Sequence, residues 1–135
     1  MRTARAVIVV LATVAAISGC APSTPAPVVG EDGLFVVTPV VASVAVEGEW
    51  LTASGYIEGI AESGGKCSFT FQGSGGGASR LSSTAQADGS RTDCGTVEER
   101  VRTVFPGDYE LTITYTSDTS TGTSEPVPVT VPEVD

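Results

Sequence analysis

Three cysteines, Cys20, Cys67 and Cys94, carry most of the chemistry open to this chain. Cys20 follows Ile17-Ser18-Gly19, one branched apolar residue and two small ones. A thiol, once ionised, is a nucleophile open to alkylation or oxidation. Beyond the cysteines the inventory is thin. The chain has no His and no Asn. It therefore lacks the commonest general base and transition-metal ligand, and it has no N-glycosylation sequon.

Ser63-Gly64-Gly65-Lys66 places a hydroxyl three residues before an amine. That spacing makes a nucleophile in penicillin-recognising enzymes, where a helical turn brings Lys beside Ser. Two glycines intervene here and a strand-like run follows, so the segment reads as a turn. Gly73-Ser74-Gly75-Gly76-Gly77-Ala78 has the spacing of a dinucleotide loop, but residues 79–89 favour a strand where a helix is required. Residues 60–67 miss a phosphate-binding loop at both ends, with Ile60 in place of Gly and Cys67 in place of Ser or Thr. The acidic pairs Glu47/Glu49, Glu98/Glu99 and Glu31/Asp32 lack the spacing of a calcium loop. No metal or cofactor is expected. Trp50 and Tyr56 alternate out of phase with Leu51, Ala53 and Ile57. With the latter facing a core, the two aromatics form a candidate binding patch for protein or carbohydrate.

The N-terminus supplies the context for Cys20. Arg2 and Arg5 precede an apolar run from Ala6 to Ile17, then small residues. This is the three-part layout of a secretory signal peptide. The run is 12 residues, short of the ~20 needed to span a bilayer. Ile17-Ser18-Gly19-Cys20 resembles the lipobox of bacterial lipoproteins. The resemblance implies a diacylglyceryl group on Cys20, cleavage before it, and attachment to the cell membrane on its extracytoplasmic side. With Cys20 acylated, Cys67 and Cys94 remain as a pair for oxidation outside the cytoplasm. Their bridge would close a loop of about 28 residues and contribute on the order of 3.5 kcal/mol.

Charge narrows the partners. Lys and Arg total 7, Asp and Glu 16, a net of −9. A chain beginning at Cys20 keeps 5 of the positive residues and all 16 negative ones, a net of −11. Such a surface repels phosphate backbones and anionic headgroups. Nucleic acid is therefore excluded as a partner, and membrane attachment must come from the lipid.

Residues 20–35 read as the lipidated Cys and a flexible tether, opening with the Pro-rich run 22–27. Short strands follow: Val40–Val46, Trp50–Ile60, Cys67–Gln72, Ser79–Ala87, Tyr109–Tyr115 and Ser124–Val131. Residues 94–103 fit either a strand or one capped helical turn. Ser117–Gly122 reads as a hairpin loop. Pro126 and Pro128 remove ladder donors, so the last strand belongs at an edge. About seven strands over residues 36–132, with residues 133–135 as a tail, resemble an immunoglobulin-like antiparallel β-sandwich. Phe105-Pro106-Gly107-Asp108-Tyr109 is similar to the Pro-Gly-x-Tyr segment before the penultimate strand of bacterial Ig-like domains. One departure stands out: antibody-type domains bridge their second and sixth strands, whereas Cys67 and Cys94 fall on the third and fifth.

The fold class is thus all-β, behind a signal peptide over residues 1–19. The expected function is a membrane-anchored, non-enzymatic binding or interaction module. A structural spacer or accessory subunit of an envelope assembly is the second reading. A small secreted hydrolase is the third, and it would need a cleft holding two carboxylates within reach of each other.

Overall fold

The computed structural model describes residues 28–134; the expected signal segment, Cys20 and the Pro-rich run through Pro27 lie outside them. The described chain forms two facing sheets. One has the order β3-β4-β8-β7, from β3 (Pro39–Glu47), β4 (Trp50–Glu58), β7 (Gln86–Asp88) and β8 (Arg91–Arg100). The other has the order β1-β2-β10-β9-β5-β6, with β11 also paired to β9. Its strands are β1 (Val28–Val29), β2 (Phe35–Val36), β5 (Lys66–Gly73), β6 (Ala78–Thr84), β9 (Gly107–Thr116), β10 (Ser120–Thr123) and β11 (Val127–Val131). All pairings are antiparallel except that of β10 with β2.

Period-2 alternation builds the core. Leu51, Ala53 and Ile57 of β4 face Cys67, Phe69 and Phe71 of β5 and Tyr109, Leu111, Ile113 and Tyr115 of β9. All are buried, and their polar neighbours in sequence point outward. Such side chains contribute about 1.5–3 kcal/mol each on burial. The Cys67–Cys94 disulfide joins β5 to β8 across this core, with a Cα–Cα distance of 5.8 Å. A bulge aims Cys94 inward. Gly55 pairs with Gly95 and Tyr56 with Asp93, so Cys94 is the extra residue on β8. Gly95 takes φ +69, and its N–H donates to Asp93 Oδ1 at 2.7 Å.

Several elements differ from their sequence readings. The sequence places residues 28–35 in the tether, yet β1 and β2 pair as a small hairpin and join the sheet through β10. The Ser79–Ala87 run is two strands in different sheets. Ala85 is the pivot: wholly buried, it exchanges backbone bonds with Gly64 and Gly65. Residues 91–100 form a strand, and the only helical turn among the described residues is the 3-10 turn Val101–Thr103. The loop expected over Ser117–Gly122 shrinks to Ser117–Thr119, because Ser120 begins β10. Pro126 interrupts the final strand. At the break, Ser124 donates its N–H to the Ile113 carbonyl and its Oγ accepts the Ile113 N–H, both at 2.8 Å. A side chain thus replaces a backbone acceptor that the interrupted strand cannot supply.

The Pro-Gly-x-Tyr segment behaves as its chemistry suggests. Tyr109 is buried, and its hydroxyl donates to the Phe105 carbonyl at 2.7 Å. That bond pins the turn entering β9 while the Phe105 ring stays exposed.

Candidate functional site

The outward side chains of β4 are Trp50, Thr52, Ser54, Tyr56 and Glu58. Trp50 is 40% exposed and lies opposite Arg100 of β8. The guanidinium carbon of Arg100 sits 5.0 Å from the Trp50 ring centre. Arg91 sits 4.7 Å from the centre of the half-buried Tyr56 ring. Both are cation–π distances, worth about 0.5–1 kcal/mol at exposed sites. Trp50 and Tyr56 therefore share one face, as their spacing predicts. They lie six positions apart along the strand, about 20 Å at ~3.3 Å per residue. The bulges of β3 and β8 lie beside Gly55, toward the Tyr56 end of the face. A shallow cavity of about 220 Å³ lies there, bordered by Ala42, Ser54, Tyr56, Arg91 and Asp93. Arg91 also approaches Asp88 at 3.8 Å, an exposed ion pair of little energetic weight. This face offers guanidinium donors, ring edges and hydroxyls.

A second constellation lies at the end of the sandwich, where the β4–β5 and β9–β10 loops meet. The Glu62 carboxylate accepts hydrogen bonds from four hydroxyls. Tyr115 donates to Oε2 at 2.6 Å and Ser117 to Oε2 at 2.9 Å. Ser120 donates to Oε1 at 3.0 Å, and Thr119 donates to the same oxygen. Partial burial disfavours the charged carboxylate, but the donors Thr119, Tyr115, Ser117 and Ser120 outweigh it and hold the pKa below the ordinary value. For Tyr115, burial first and then the Glu62 carboxylate push the phenol up to about 12. No short-range spacing announces this cluster, because Glu62 lies 53 to 58 residues before its four donors.

Beside it is an open cavity of about 590 Å³, bordered by Glu62, Ser63, Lys66, Asp118 and the glycines between Ser63 and Lys66. Both ends of the Ser-x-x-Lys pattern are here, but no helical turn joins them. Ser63 Oγ accepts the Ala87 N–H at 2.9 Å, and Lys66 begins β5. The Gly-rich run at 73–77 likewise closes a turn. Gly73 N–H donates to the Gly77 carbonyl at 2.7 Å, and strand β6 follows. Among the described residues no group of acidic or sulfur side chains converges as a metal cage. Cys67 and Cys94, paired and buried, are structural. Cys20 lies outside the described residues. Compared with known protein families, curated proteins and solved structures, the chain matches none of them.

Proposed function

We propose that this chain is an extracytoplasmic lipoprotein, anchored through Cys20, whose Ig-like domain serves as a non-enzymatic binding module. The observation that carries the binding role is the outward face of β4 and β8, where Trp50 and Tyr56 each lie under an arginine. Aromatic and arginine side chains are the residues most enriched at recognition hot spots. The anchor rests on Ile17-Ser18-Gly19-Cys20 behind a basic and apolar leader. The Ig-like reading is supported by strand order. Taking β3, β4, β5, β7, β8, β9 and β10–β11 as strands A to G yields sheets ABED and GFC, with β6 as an added C′. The buried Tyr109 at the turn into strand F fits the same pattern.

Two substitutions test the reading. Cys20→Ser should move the protein from the membrane fraction to the soluble one, and unchanged membrane association would refute the anchor. Trp50→Ala with Tyr56→Ala should weaken binding of the soluble domain to isolated cell envelopes by about tenfold or more, the scale of a lost hot spot. Equal binding by parent and variant would remove this face from the account.

A further inference from the structure

Each flank of the sandwich carries one crossing between the sheets. On one, the wholly buried Ala85 carries the chain from β6 to β7 and closes the gap between sheets. On the other, Val37 and Thr38 carry the chain from β2 to β3, with the Val37 carbonyl against Gly122, and past this crossing the edge of β3 pairs with no further strand among the described residues. The facing sheet overhangs this edge. Phe35 pairs with Ser120 in parallel register and so shares its inward side. Ser120 is wholly buried, yet Phe35 is 41% exposed, and Val29 across from it is 54% exposed. Inward-facing apolar side chains stay open to solvent only where no opposing strand covers them. Val41, Val44 and Val46 of β3 tell the same story. Each pairs with an inward position of β4, and each stays half-buried where its β4 neighbours are buried.

This flank has the two features that a strand-adding partner requires: a free backbone ladder and apolar ground for alternate side chains. Its rim also selects the occupant. The strands β1, β2, β3, β10 and β11 contain no Lys or Arg. Glu31 and Asp32 sit in the β1–β2 turn, Glu47 ends β3, and Glu125 lies between β10 and β11. A second copy of this chain would bring the same acidic rim against itself. The chain's own residues before Val28 include Pro22, Pro25 and Pro27, which have no N–H to donate to a ladder.

We propose that this flank docks an extended peptide segment of a partner protein, which adds a strand beside β3 with apolar residues turned inward and Lys or Arg at its ends. The site is separate from the Trp50 face.

The test uses the soluble domain and three labelled peptides followed by fluorescence anisotropy. The first is Lys-Lys-Val-Thr-Val-Thr-Val-Lys-Lys. The second replaces every Lys by Glu. The third keeps Lys but carries N-methyl groups on alternate backbone amides, made in both registers. The first should bind saturably. The Glu peptide, and at least one N-methyl register, should bind about tenfold more weakly or worse. Phe35→Ala, a change confined to the overhang, should weaken the first peptide several-fold, while Trp50→Ala leaves it unchanged. Absence of binding by the Lys peptide would overturn the proposal, as would equal binding of the Glu peptide or of both N-methyl peptides. So would a loss on Trp50→Ala alone, which would assign the peptide to the other face. Concentration-dependent dimerisation seen by sedimentation and broken by Phe35→Ala would put a second copy in the flank and overturn it as well.

Discussion

Glu62 takes four hydroxyl donors onto its two oxygens, filling the in-plane positions at which a carboxylate accepts hydrogen bonds. A saturated carboxylate is a fastener, not a reagent, and here it ties the β4–β5 loop to the β9–β10 loop. Gly65 shows how tightly the parts fit, since a Cβ at that position would overlap the Tyr115 hydroxyl. Glu62→Gln should lower stability by about 1.5–3 kcal/mol, the range for hydrogen bonds to a charged group, measured by urea unfolding at neutral pH. The sign with pH follows from the lowered pKa. The contribution is complete above the unfolded carboxylate value of 4.5. It is lost as pH falls through the folded-state value. The gap between parent and Glu62→Gln should therefore narrow on acidification, and a gap constant with pH would contradict the charged bond set. Tyr115 gives the opposite limb. Its pKa rises from 10 to about 12 on folding, so its stabilisation is whole below pH 10 and lost as pH climbs through that folded value. Tyr115→Phe should remove that alkaline component from a pH–stability profile.

At the scale of elements, the legible parts were those whose order is local. Alternation in Cys67–Gln72 and Tyr109–Tyr115 foretold β5 and β9 and the faces they bury, because period-2 burial is written into consecutive residues. Trp50 and Tyr56 were placed outward by the same rule. The parts that differed depend on distant partners. β1 and β2 are two residues each and exist through pairing with one another and with β10. Ala85 is a pivot because Gly64 and Gly65 bind its backbone, which no window around residue 85 contains. The Glu62 cluster escaped for the same reason. Ser124 is an intermediate case: Pro126 and Pro128 mark an edge strand, but the break before Val127 and the acceptor that repairs it are visible only in the fold. Ser124→Ala should strand the Ile113 N–H in a buried setting and cost about 1–3 kcal/mol. A change below a few tenths of a kcal/mol in a thermal melt would show that the break needs no repair.

Across the whole molecule, the disulfide and the charge act together. A domain of this size gains relatively little from its core, and the Cys67–Cys94 bridge ties one sheet to the other. Replacing both cysteines by Ala should lower stability by about 2–5 kcal/mol, read as a drop in the denaturation midpoint. The −11 net charge of a chain beginning at Cys20 would keep such a domain away from anionic headgroups, so the membrane residence proposed above rests on the proposed acylation of Cys20. The most direct measurement is the intact mass of the native protein from a membrane fraction, with thiol alkylation before and after reduction. The account predicts a chain starting at Cys20, carrying a diacylglyceryl mass, with two alkylatable thiols that appear only on reduction. An unacylated chain, or three thiols free without reduction, would contradict it.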